Sequence, residues 1–141
     1  MKLTRRRRGA KEKKKMHENE LATIAVDAGL HIHKKLGPGL LESAYHAVLV
    51  YELRRRGLNV ETQLPVPLMW EGVALETAFR ADVVVENRLL IELKSIDEVL
   101  PVHKKQVLTY LRLMELRLGL LMNFGTELFK DGVSRIANGL Q

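Results

Sequence analysis

The chain has 141 residues, 46% of them hydrophobic, which suits one buried core and is too short to divide comfortably into two domains. With 0 Cys it has no disulfides and no Cys-ligated zinc or iron–sulfur centre, and no apolar run approaches the roughly 18–20 residues that a membrane-spanning helix needs. The formal charge of +6 is uneven: residues 1–17 carry nine basic side chains against the single acid Glu12, a local +8, leaving 14 basic and 16 acidic groups elsewhere.

Residues 1–17 are expected to form a disordered basic tail, because like charges at this density resist folding and gain most by neutralising phosphates with counterion release. A solubilising or leader-like extension without a specific role is the equally weighted alternative. No apolar signal-type segment follows the basic run, so a cytoplasmic protein without membrane contact is expected, with residues 18–141 as its one domain.

Residues 19–36 place Leu21, Ile24, Ala25, Ala28, Ile32 and Leu36 at helical spacing, with Asn19 available as N-cap. Gly37-Pro38-Gly39 breaks that helix. A second amphipathic run follows through Leu41, Tyr45, Leu49 and Leu53, and stops at Gly57 after three arginines that complement the helix dipole. Val60 to Leu64 alternates as a strand, which Pro65 and Pro67 confine to an edge or irregular position. After a turn at Glu71-Gly72, strand-like residues run from Val73 to Val85, and Glu86-Asn87-Arg88 leads into a very apolar strand, Leu89 to Lys94. A helix over about 98–114, with Leu100-Pro101 at its start, precedes a buried strand from Leu116 to Phe124 that could run parallel to the others. Residues 128–140 are too short and mixed to assign as helix or strand. The order helix, helix, three strands, helix, strand predicts an α/β sandwich with its sheet at the centre.

Leu89 to Lys94 holds charges where a core strand should have none. Glu92 and Lys94, two apart, share a face, and burying them is costly unless they are paired or bind a metal. A three-residue loop at Glu86-Asn87-Arg88 pairs Val85 with Leu89 and brings Asp82 directly opposite Glu92; a two-residue loop would put them on opposite faces. Two facing carboxylates could share a hard cation such as Mg²⁺, with Lys94 near enough to orient water or stabilise negative charge. The competing reading is a structural ion pair. Glu42, at the start of the second helix, reads equally as an acid favoured by the helix dipole, and Gln106 and Tyr110, four apart on the later helix, as part of an ordinary amphipathic face.

Gly39-Leu40-Leu41-Glu42-Ser43-Ala44-Tyr45 resembles the motif that names the GxxExxY family, which is grouped with the PD-(D/E)XK nuclease superfamily. The resemblance extends through Leu36-Gly37-Pro38-Gly39, Arg80-Ala81-Asp82, Ile91-Glu92-Leu93-Lys94, Pro101-Val102-His103, Gln106 to Leu111 and Leu118 to Phe124, covering about residues 18–140. It implies a restriction-endonuclease-like core, α-β-β-β-α-β, with a central mixed sheet flanked by helices. It further implies that Asp82 and Glu92 are metal ligands, that Glu42 joins them from the first core helix, and that Lys94 is the catalytic lysine. Gln106 and Tyr110 are similar to the Gln-x-x-x-Tyr pair that RecB-like nucleases place after the catalytic strand. Ala81 stands where the superfamily's name has Pro.

The expected activity is therefore hydrolysis of phosphodiester bonds, in DNA by preference, dependent on Mg²⁺ or Mn²⁺ and assisted by the tail. The rival is a catalytically silent module of the same fold that binds nucleic acid or protein. A homodimer through an apolar edge is a further expectation. His31 and His33 lie two apart on a helix and cannot face one direction. For His33 and His103, surface or packing roles are favoured over catalysis, and Trp70 is favoured as a core lid over an exposed stacking platform.

Overall fold

A computed structural model describes residues 15–76 and 79–140, so the expected tail, apart from residues 15–17, lies outside the described residues. Helix α1, Glu18–Leu36, buries Leu21, Ala25, Ala28 and Ile32, the stripe its spacing predicts. Its cap is His17 rather than Asn19: the His17 ring accepts the Asn19 N–H (3.0 Å), and Glu20 accepts the His17 N–H (3.2 Å). Met16, just before the cap, packs against the same core. Helix α2, Glu42–Arg55, follows the Gly37-Pro38-Gly39 break. It ends just before Gly57, whose φ of 89° is the left-handed value such a stop requires.

The strands that follow are β1 (Val60–Pro65), β2 (Leu68–Trp70), β3 (Val73–Leu75), β4 (Arg80–Val85) and β5 (Leu89–Lys94). Helix α3, Pro101–Met114, then crosses to β6 (Leu118–Asn123), and a 3₁₀ turn at Phe129–Gly132 leads into β7 (Val133–Ala137). The main sheet has the order β1-β4-β5-β6-β7. Only β5 and β6 run parallel, as a strand–helix–strand connection demands; the other neighbours are antiparallel. β5 and β6 are central and covered on both sides, which is why their sequences are almost unbroken apolar runs.

Alternation along the strands builds two cores. Val83, Ile91, Leu93 and Met122 face α1 and α2, whereas Val84, Leu90 and Leu121 face Val107, Tyr110 and Leu111 of α3. Glu92 and Lys94 alternate with Ile91 and Leu93, and so belong to the α3 side. The α/β architecture, a mixed sheet flanked by helices, agrees with the sequence expectation.

Three details differ. The run Val73 to Val85 is not one strand: β3 pairs with β2 as a separate two-stranded hairpin, and β4 starts afresh at Arg80. Glu71 and Gly72 both take left-handed φ (45° and 81°), the conformation of a tight hairpin turn. Trp70 is 63% exposed on this hairpin rather than in the core, because three-residue strands carry no second layer to cover it. The unassigned terminal stretch supplies β7 and Phe129, whose ring lies so close to Gly29 of α1 that any Cβ there would collide with it. Among the described residues, no helix is long and apolar enough to cross a membrane.

Candidate active site

The site begins at the β4–β5 turn. Glu86 and Asn87 take left-handed φ (52° and 56°), and Arg88 N–H closes the loop onto Val85 O (2.9 Å). Val85 pairs with Leu89, Val84 with Leu90 and Val83 with Ile91, the register of a three-residue loop. Extended one step, this places Asp82 opposite Glu92, where backbone pairing gives way to side chains. Asp82 N–H donates to Glu92 Oε2 (2.9 Å), and Leu93 N–H donates to Asp82 Oδ2 (3.0 Å). Each carboxylate takes the place of a backbone carbonyl, so the strands part into a fork with both acids inside it. β5 stays in line because its pairing with β6 continues to Lys94 opposite Asn123.

The loop before α2 brings in Glu42. The Tyr45 hydroxyl, wholly buried, donates to Gly37 O and accepts the Leu40 N–H (3.2 Å), fixing the glycine turn. Ser95, one residue beyond Lys94, donates to Leu40 O (2.7 Å) and ties that turn to the end of β5. The tyrosine of the G-x-x-E-x-x-Y run is therefore scaffold, holding the turn around Gly39, and the run's glutamate faces the site.

α3 contributes Gln106 and Tyr110, whose Nε2 and hydroxyl lie 3.3 Å apart. A cavity of ≈ 170 Å³ is lined by Glu42, Asp82, Glu92, Lys94, Gln106 and Tyr110, all six candidate residues, together with Arg80 and His103. A second opening, ≈ 180 Å³, shares Glu42 and Asp82 with it and is otherwise lined by Ser43, His46 and Gln63. A larger cavity of ≈ 530 Å³ occupies the opposite end of the sheet, around Lys15, Glu18, Asn87 and Arg117. Volume does not mark the site: the charges there are mixed in sign, and Glu18 already has Arg88 within 3.8 Å.

The electrostatics single out the fork. Glu92 is pushed up to about 8, first by burial and then by the facing Asp82 carboxylate, with Lys94 only partly offsetting both. Glu42 is also raised, by burial and then Asp82, against the lowering pull of Lys94 and His46. Burial raises Tyr110, in the direction that favours its neutral hydroxyl. Two acids whose charge is disfavoured in one cleft are a functional-site signature.

The donor chemistry fits a hard divalent cation, which would relieve the strain between Asp82 and Glu92 through their carboxylate oxygens. Among the described residues, however, no group of three or more His, Asp or Glu side chains is drawn together tightly enough to hold a metal ion. Asp82 and Glu92 meet, while Glu42 stands at the cavity wall. That arrangement suits a hard divalent cation bound through two carboxylates, with water completing its shell.

His33 is buried between Phe124 and Phe129, its Nε2 2.8 Å from Thr126 O, and plays a packing part. His103 lines the cavity, and its Nδ1 accepts the Leu100 N–H (2.9 Å) at the start of α3. Three contributors were missed from sequence. His46, one turn after Glu42, has Nε2 3.1 Å from Asp82 O. Arg80 is two residues before Asp82. Asn123, fully buried, bonds both Ile96 N–H (3.0 Å) and Ile96 O (2.9 Å), fixing the chain just beyond Lys94. Arg80 stood without a role in the matched run Arg80-Ala81-Asp82, and Asn123 was visible as a polar residue closing an apolar strand; His46 left no trace.

A family model described as the PD-(D/E)XK nuclease superfamily matches residues 19–136. The mixed sheet with flanking helices is consistent with the restriction-endonuclease-like fold of that group. No curated protein and no solved structure matches the chain.

Proposed function

The chain belongs to the PD-(D/E)XK nuclease superfamily, and from that premise we propose that it is a divalent-metal-dependent nuclease that hydrolyses phosphodiester bonds, with DNA as its polymer. Within the superfamily we place it in the GxxExxY family, on the run Gly39 to Tyr45. One observation carries the reading: Asp82 and Glu92 face each other inside the strand fork, with Lys94 on the same face as Glu92.

A bound divalent cation such as Mg²⁺ or Mn²⁺ would lower the pKa of a water molecule and set positive charge against the phosphate oxygens. Asp82 and Glu92 would hold that cation, and Glu42 would add a ligand or position the attacking water. Lys94 orients the nucleophile and offsets developing negative charge. Gln106 and the neutral Tyr110 hydroxyl hold the scissile phosphate by donating hydrogen bonds. The basic tail adds sequence-independent attraction for the polyanion.

Cleavage of plasmid and of labelled oligonucleotides, with and without Mg²⁺ or Mn²⁺, tests the assignment. Metal-dependent turnover is expected, falling about 10²-fold or more in Asp82→Ala and in Lys94→Ala. Equal activity in wild type and both variants would remove these residues from the chemistry.

A further inference from the structure

Arg80 is shared by two cavities. It starts β4 two residues before Asp82, so both project from the same strand face, and it lines the acidic cavity beside Glu92 and Lys94. It also lines a neighbouring cavity of ≈ 200 Å³ formed with Pro65, Val66, Pro67 and Glu76. Among the described residues, its guanidinium has no ion-pair partner, although three carboxylates line the cavity it borders.

The second cavity opens on the same side of the sheet as the acids, since Val66, in its wall, is packed into the core formed with Tyr110 and α3. One wall is preformed: Pro65 and Pro67 have their φ fixed by their rings, and Val66 N–H is held by Phe79 O (3.0 Å). It is smaller than the roughly 300–1,000 Å³ that takes a drug-sized ligand, which leaves room for one flat ring system. Its surface combines an apolar wall, a guanidinium that can grip phosphate and stack on a ring, and one carboxylate that can only accept hydrogen bonds.

We infer that this cavity is a base subsite: it receives the nucleobase next to the scissile phosphate, with Arg80 spanning from phosphate to base. Glu76 accepts a hydrogen bond from an exocyclic amine, as carboxylates do with cytosine N4, and disfavours the acceptor edge of thymine. A base seated there is unstacked, so the substrate is single-stranded or locally unpaired. The inference rests on the nuclease reading for its substrate, but its test does not need cleavage.

Mononucleotides contain no phosphodiester to cut, so their binding can be titrated with Mg²⁺ present. Wild-type protein is expected to bind deoxycytidine monophosphate at least about fivefold more tightly than thymidine monophosphate or deoxyribose 5-phosphate. Arg80→Ala weakens all three. Glu76→Ala removes the preference for cytosine over thymine without weakening the sugar phosphate. Pro67→Trp fills the cavity and lowers the nucleotide to the level of the sugar phosphate. Equal binding of deoxycytidine monophosphate and deoxyribose 5-phosphate, no binding of either, or a preference that survives both Glu76→Ala and Pro67→Trp, would overturn the subsite and leave metal-dependent cleavage standing. Loss of the nuclease reading would show instead as absent cleavage with the cytosine preference intact.

Discussion

Glu92 shows at the scale of one residue what the site costs the fold. An unfolded chain holds this carboxyl at its ordinary value of 4.5, whereas burial and Asp82 raise it to about 8 in the folded protein. The folded state therefore binds the proton more tightly. The stability this contributes is complete below about pH 4.5 and is lost as pH rises through 8. Glu92→Gln escapes that loss. In chelator it should melt like wild type near pH 4.5 and above it at pH 9, by at most about 5 kcal/mol at roughly 1.4 kcal/mol per pH unit. Added Mn²⁺ should narrow the gap by stabilising wild type alone. A Glu92→Gln variant no more stable than wild type at pH 9 would show that the carboxylate is not strained. The facing of Asp82 and Glu92 was legible in the sequence, because strand parity and loop length fix it. His46 and Arg80 were not, since a lone histidine on an amphipathic helix or an arginine opening a strand belongs to no periodicity.

At the scale of elements, the site exists because two joints are held. The β4–β5 fork aims Asp82 and Glu92, and the Gly37-Pro38-Gly39 turn aims Glu42 through the Tyr45 hydroxyl. Tyr45→Phe leaves Gly37 O and Leu40 N–H without that partner inside the structure. The expected loss is about 1–2 kcal/mol of stability, read by denaturant titration. Displacement of Glu42 should also lower cleavage, by up to about 10²-fold. A variant that loses stability and keeps full turnover would mean that Glu42 needs no fixed position. All three helices and the strands β5 and β6 were readable, because long periodic or unbroken apolar runs have few alternative placements, whereas the parallel pairing of those two strands was only one open possibility. The run Val73 to Val85 misled, since alternation looks the same in a free hairpin as in a sheet. β7 was unreadable because an edge strand of mixed polarity has no pattern until its neighbour is known.

Across the whole molecule, charge and chemistry are separated. The acids of the fork lie at one end of β5, while Lys15, where the basic tail joins the body, lines the cavity at the other end. The body beyond residue 17 carries 14 basic and 16 acidic groups, so the chain's excess of positive charge sits in residues 1–17. Deleting residues 1–14 spares Met16 and the His17 cap. It should weaken DNA binding and flatten its dependence on salt, while metal-dependent cleavage persists at low salt. An unchanged salt slope would assign the phosphate contacts to the body instead. Whether Asp82 and Glu92 together hold a divalent cation is read by calorimetric titration with Mn²⁺. Saturable binding by wild type is expected, weakened about tenfold or more in Asp82→Asn. Indistinguishable isotherms for the two proteins would contradict it.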